Sequence, residues 1–325
     1  MTTREVPKLP VDDTTGLDMA CRVLCERAER DSSVWVLTAD VMSSVRTKPF
    51  ATAFPDRFLN VGIAEQSMVG VAAGLATCGK VPVVTAFASM LSMRACEQIR
   101  TDLAYPNLNV KIIGCLAGVA MGYAGATHHA IEDIALLRAM GNMTVLVPCD
   151  ARETRKMVNA AMDRLGPTYI RMGRENEYAV HADTLDFQIG WAILVREGTD
   201  VALIGCGRTV AQCLIAAGLL SAEGIQARVL DMHTVKPIDT AAVERAAFET
   251  RMVFTAEEHS VIGGLGGAVA EVMADLGSST PLKRLGIPDT YAPIGSPDVL
   301  MDKYGVTGPR IAKTVMESLR RLDKR

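Results

Sequence analysis

The chain has 325 residues, 49% of them hydrophobic, with a formal net charge of -3. That length accommodates two domains with separate cores, and the near-balanced charge offers neither a basic stripe for nucleic acid nor a long acidic tail. The opening octet Met-Thr-Thr-Arg-Glu-Val-Pro-Lys lacks the apolar centre of a signal peptide, and the longest uncharged apolar run, residues 112–126, is too short and glycine-rich for a membrane span. A soluble cytoplasmic protein without nucleic-acid or membrane partners is expected. Its eight cysteines form no Cys-x-x-Cys and no clustered Cys/His ligand set, so they read as small packing residues of a reducing compartment.

Short β-branched runs alternate with longer helical patterns along the chain. Residues 34–37, 81–86, 110–114, 144–147 and 168–171 read as strands separated by helices. The first of these helices, residues 64–78, opens on a single acid, Glu65, and carries Gly70, Ala73, Gly74 and Ala76. Such small residues predict the close approach of another backbone and little water at Glu65. An acid in a first helical turn also complements the macrodipole, which accounts for its position but not for its apolar surroundings. Residues 90–104 read as a further helix, whose Arg94, Glu97 and Arg100 either line a crevice or form a solvated i,i+3 ladder.

A polar stretch over 173–186 interrupts this rhythm, and strands resume at 192–195, 201–204, 227–230 and 252–255. The expected fold is α/β, with two consecutive domains, 1–186 and 187–325, each a mostly parallel sheet covered by helices on both faces. Gly205-Cys-Gly207-Arg-Thr-Val210 imitates a dinucleotide-binding turn, but valine replaces its third glycine. Gly263-Gly-Leu-Gly-Gly267 lacks a following lysine and reads as a tight loop feeding the helix 268–276.

Seven stretches, in order, carry a resemblance: Leu37-Thr-Ala-Asp40, Phe58-Leu-Asn-Val-Gly-Ile-Ala-Glu-Gln66, Val81-Pro-Val-Val-Thr-Ala-Phe87, Gly125-Ala-Thr-His128, Val147-Pro-Cys-Asp150, Gly166-Pro-Thr-Tyr-Ile-Arg-Met-Gly-Arg174 and Glu258-His-Ser-Val-Ile-Gly-Gly-Leu-Gly266. Together they resemble the C-terminal part of the transketolase family, a pyrimidine-binding domain followed by a small C-terminal domain. The resemblance implies that Glu65 hydrogen-bonds the aminopyrimidine of thiamine diphosphate and drives it to the imino form, whose nitrogen removes the thiazolium proton. Physically this asks for an acid that keeps or shares its proton in a dry site. By the same resemblance Asp40 lies beside the pyrimidine, Phe87 walls the ring pocket and Ile63 directly precedes the acid. Met90 replaces a second stacking aromatic with a flexible thioether. Ser44 and Arg174 match phosphate contacts, and His128 matches the residue that holds a donor oxygen.

Departures from the family pattern point to an unusual sugar or sugar-phosphate-like substrate. Tyr123-Ala124 replaces a Glu-Asp pair whose aspartate reads a sugar hydroxyl, Leu116 stands for a phosphate-contacting histidine, and Thr14 lies near a missing arginine. The chain contains no Gly-Asp-Gly motif of the kind that holds the divalent cation of the diphosphate, Mg2+ or Ca2+. The resemblance therefore implies one subunit of a split enzyme, completed by a separate N-terminal diphosphate-binding subunit, with two copies of each in a heterotetramer. The expected activity is ketol transfer. The alternatives are a beta subunit of a 2-oxo acid dehydrogenase, a deoxyxylulose phosphate synthase-like enzyme, or a non-catalytic partner.

Overall fold

The computed structural model describes residues 9–174 and 177–324. The polar octet at the start, and Glu175 and Asn176 of the irregular stretch, lie outside the described residues. Two sheets account for the strands. The first draws on β1 (Val34–Thr38), β2 (Phe58–Asn60), β3 (Val81–Phe87), β4 (Lys111–Cys115), β5 (Thr144–Leu146) and β6 (Thr168–Arg171). The second uses β7 (Ile193–Arg196), β8 (Val201–Gly205), β9 (Ala227–Asp231), β11 (Val253–Ser260) and β12 (Leu282–Ile287), while β10 (Thr234–Lys236) crosses to the first.

The first sheet runs β10-β5-β6-β4-β3-β1-β2 and the second β12-β11-β8-β9-β7. Only β10 on β5 and β7 on β9 pair antiparallel, as expected for two mostly parallel sheets. On one face of the first sheet, helices Gly16–Arg30 and Ala151–Asp163 bury Leu24, Met157 and Val158 against Val36, Val83 and Ile170. On the other, Met68, Val69 and Ala72 of helix Glu65–Thr77 join Leu37, Val84 and Ile112. That second cluster continues through Ile204, Leu230, Met232 and Val235, so the halves divided by our proposed boundary at Asp186 share apolar interior.

Polar contacts reinforce this seam. Arg171 Nε donates to Asp133 at 2.8 Å, and its Nη2 reaches the carbonyls of Ala130 and Glu258, each at 2.9 Å. Nearby, His259 Nδ1 donates to the Ser260 carbonyl at 2.7 Å, while its Nε2 accepts from the Ala135 amide at 3.4 Å. These two bonds fix the neutral tautomer.

Both glycine-rich turns serve packing. A Cβ on Gly205 would meet the Val210 backbone at 3.1 Å, so the decoy's first glycine permits close strand-to-helix contact. At the second turn the buried Glu257 carboxylate accepts the amides of Leu265 and Gly266 at 2.7 and 2.9 Å. The protein thus places its own carboxylate where a helix start would otherwise attract a phosphate. Its pKa is raised to about 7 by burial.

Burial lowers the His259 pKa to about 4, whereas an unfolded imidazole titrates near 6.5. Between these values unfolding takes up close to one proton. The stabilisation is complete above about pH 6.5 and lost as pH falls towards 4, at up to about 1.4 kcal/mol per pH unit. His259→Gln should remove this component, flattening the dependence of urea-unfolding free energy between roughly pH 6.5 and 5 by nearly one proton relative to the parent.

Candidate active site

Strand register brings the site together. β1 places Thr38 opposite Asn60 and Thr85, β3 places Phe87 opposite Cys115, and β4 places Gly114 opposite Arg171. The chain leaves these parallel strands at one edge, so Asp40, Phe87, Leu116 and Arg174 emerge side by side. Crevices beyond the carboxyl ends of such strands are where α/β sheets hold ligands.

Glu65 begins its helix directly after Ala64, and Gly62 bends the approach with φ +75°. The acid is 3% exposed. Arg94 Nη1 donates to its Oε2 at 2.6 Å, and among the described residues no hydrogen bond reaches Oε1. The apolar surroundings expected from sequence therefore include one cation. Arg94 reaches the acid from a helix that is not regular: residues 90–104 comprise a π turn at Met90–Arg94, a short α turn at Cys96–Gln98 and a second π turn at Ile99–Ala104. Wide turns of this kind insert residues into the helical register and cluster at functional positions. The expected i,i+3 ladder gives way to separate roles, for Arg100 lines a different cavity with Tyr105 and Leu136.

The small residues of the Glu65 helix also behave differently from expectation. Nothing lies within 4 Å of a Cβ built on Gly70 or Gly74, so no backbone of this chain packs there. Ile63, just before the acid, is 75% exposed. This face of the helix opens to the outside while Glu65, Met68 and Val69 turn inward.

The remaining candidates fall into three groups. Asp40, held at φ +59°, is tied to Asn60, whose Oδ1 accepts the Asp40 amide at 2.9 Å and whose Nδ2 donates back to Asp40 Oδ1 at 3.1 Å. Phe87 is half-buried with its ring 5.8 Å from that of His128, and Met90 is half-buried at the first π turn. His128 Nδ1 is engaged by Thr127 Oγ1 at 2.9 Å, which leaves Nε2 to face a ligand. Finally, Ser44 and Arg174 line one cavity of about 280 Å3 with Ser43, Arg46, Leu116 and Met121. Leu116 therefore sits among the positions matched to phosphate contacts. Arg46 was missed by the sequence reading, since an arginine two residues after Ser44 has no spacing signature.

The chain matches known proteins over most of its length. The model of the transketolase pyrimidine binding domain matches residues 17–178, and that of the transketolase C-terminal domain matches 190–311. One of the paired subunits of an apulose-4-phosphate transketolase from Phocaeicola vulgatus is 41% identical, with 93% of this chain and 98% of the relative covered. A 6-deoxy-6-sulfo-D-fructose transketolase subunit from a Clostridium species is 40% identical over 91% of each. A solved split-gene transketolase, described as an inactive β4 tetramer, superposes with a TM-score of 0.87 at 43% identity, covering 94% of this chain and 98% of that one.

Arg94→Met would leave Glu65 buried beside no cation. Because the Arg94 side chain is 44% exposed, the cost is discounted from that of a fully buried pair to about 1–2 kcal/mol. In a Glu65→Gln background the same substitution should cost less than half as much, a difference read from a double-mutant cycle in urea.

Proposed function

The chain belongs to the transketolase family, and on that premise we propose that it is the pyrimidine-binding subunit of a split, thiamine-diphosphate-dependent enzyme. It would move a two-carbon ketol unit from a ketose to an aldehyde or ketone acceptor. The observation that carries this reading is Glu65: a carboxylate with one oxygen fixed by Arg94 and the other without a hydrogen bond, beneath an open helix face. That arrangement fits a ring nitrogen able to share a proton, and the half-buried Phe87 and Met90 suit the flat apolar surface of the same ring.

Breaking the ketose carbon–carbon bond is the chemistry of the bound cofactor. This chain contributes position and proton control. Glu65 holds a proton at the aminopyrimidine, Asp40 lies beside that ring in a conformation locked by Asn60, and His128 presents Nε2 to the donor's oxygen. Ser44, Arg46 and Arg174 share a cavity suited to an anionic end group. With Leu116 in that cavity and Ala124 on the loop before His128, we place the substrate outside ordinary pentose phosphate exchange. The phosphate and sulfo groups in the two relatives' names support an anionic sugar.

Two features support a separate diphosphate-binding subunit that supplies the Mg2+ or Ca2+ site. The sequence has no Gly-Asp-Gly, and the Gly70–Gly74 face is open for a close backbone contact. The relatives described as subunits, and the inactive β4 assembly of the similar split enzyme, support dependence on that partner, which we place in a cytoplasmic heterotetramer with two copies of each chain.

The test reconstitutes the chain with its diphosphate-binding partner, thiamine diphosphate and magnesium. Ketol transfer should appear only in the combination, and Glu65→Ala should lower turnover by about 100-fold or more with the circular dichroism unchanged. Carbon dioxide release from a 2-oxo acid would favour the dehydrogenase or synthase alternative, and full activity of the Ala variant would favour a non-catalytic partner. Separately, Ala124→Asp should alter relative kcat/KM among acceptors while leaving cofactor affinity within about twofold; an unchanged acceptor profile would refute its placement at the substrate.

A further inference from the structure

Four ligand-type side chains meet far from one another in sequence. Cys149 precedes helix Ala151–Asp163 and Glu153 lies in its first turn, Asp231 ends β9, and His181 belongs to the segment joining β6 to β7. The Cys149 sulfur, an imidazole nitrogen of His181 and a carboxylate oxygen from each acid all lie within 4.8 Å of one another. Cys149, Glu153 and Asp231 are buried, and the His181 side chain is 6% exposed.

Hydrogen bonding inside this cluster is incomplete. His181 Nε2 lies 2.8 Å from Asp231 Oδ2, and the Cys149 amide donates to Glu153 Oε2 at 2.7 Å. Glu153 Oε1 and Asp231 Oδ1 are left buried without a partner. Among the described residues no lysine or arginine donates to either acid: Arg152, on the same helical turn, pairs with Asp12 and Asp183 instead. The neighbouring Asp150 spends its oxygens on the amides of Glu153, Val180 and His181. Each orphaned oxygen costs about 1–3 kcal/mol, and two ionised carboxylates without a counter-charge cost more.

One sulfur, one imidazole and two carboxylates form a donor set suited to a borderline divalent ion, and poorly suited to Mg2+. We propose that Cys149, Glu153, His181 and Asp231 bind a single zinc-class transition ion that staples the β6–β7 segment to both sheets. Four protein ligands make a closed structural site with no open position for catalysis. Zinc bonds of about 2.0–2.3 Å would draw the ligand atoms together by roughly 1 Å, and binding would release the Cys149 thiol proton. The site is separate from the Glu65 crevice and makes no use of its chemistry.

Untagged full-length protein, stripped with EDTA and reloaded, tests this. After gel filtration the zinc-loaded chain should retain close to one zinc by elemental analysis, and Zn2+ but not Mg2+ should raise the melting temperature by several degrees. Co2+ should give a thiolate-to-metal charge-transfer band in the near ultraviolet that Cys149→Ser abolishes. His181→Ala, a change in a connecting segment, should keep native circular dichroism and lose at least about tenfold in zinc affinity; it covers the case in which Asp231→Asn fails to fold. Absence of retained zinc, stabilisation by Mg2+ equal to that by Zn2+, a cobalt spectrum indifferent to Cys149→Ser, or undiminished zinc affinity in His181→Ala would each overturn the site and leave the two acids as a proton-sharing pair.

Discussion

The 2.6 Å contact between Arg94 and Glu65 organises the crevice. A carboxylate taken out of water at a helix start needs a compensating donor, and here one guanidinium provides it while leaving the second oxygen to the ligand side. The route by which the donor arrives matters as much as its charge. A regular helix over residues 90–104 would project its side chains at uniform 100° steps, whereas the π turn at Met90–Arg94 resets that order between Met90 and Arg94. The thioether assigned to the ring and the cation on the acid thus come from the two ends of one irregular turn.

Around that contact the second half of the chain acts as scaffold. Glu258 Oε1 accepts the Val119 amide at 2.9 Å, and a Cβ on Gly118 would lie 2.5 Å from the Glu258 carboxyl carbon, so the glycine exists to admit this side chain. Ser260 donates from its amide to the Ile131 carbonyl at 2.8 Å, closing the far end of the same loop. The loop that presents His128 is therefore clamped at both ends by β11. This assigns the C-terminal half a structural part in the crevice, although none of the candidate ligand-contacting residues lies there.

Much of the fold was legible because its strands are continuous β-branched runs: most came within a residue or two of their expected bounds. The strands that escaped notice had physical reasons to do so. β2 and β10 have three residues each, and β12 is broken by Lys283 and Arg284. β10 also pairs in the other half's sheet, a placement no local pattern encodes. At the site, Glu65 stood out because it is a lone acid in an apolar helix, but the direction of its small-residue face was unreadable. Small residues tell of a close neighbour without telling which chain supplies it. Arg46, and the meeting of Cys149 with His181 and Asp231, depend on tertiary folding alone.

Substrate selection, on the proposed reading, follows from how the His128 loop is seated. Gly122 packs so tightly that a Cβ there would lie 2.2 Å from the Gly295 carbonyl oxygen, while the Gly122 carbonyl accepts the Gly295 amide at 3.1 Å. Immediately after this anchored point Tyr123 swings outward and is 70% exposed, and Gly125 turns the chain with φ +77° towards His128. A fixed anchor followed by a fixed turn leaves the backbone at Ala124 little freedom. What changes from one enzyme to another at this position is then the side chain rather than the path of the loop. A methyl group there cannot hydrogen-bond a sugar hydroxyl, so discrimination shifts to the anion-binding end, where Arg46 and Arg174 flank Ser44. Recognition by charge at one end and by space at the other tolerates variation in the intervening carbons, which suits a sugar that departs from the usual hydroxyl pattern.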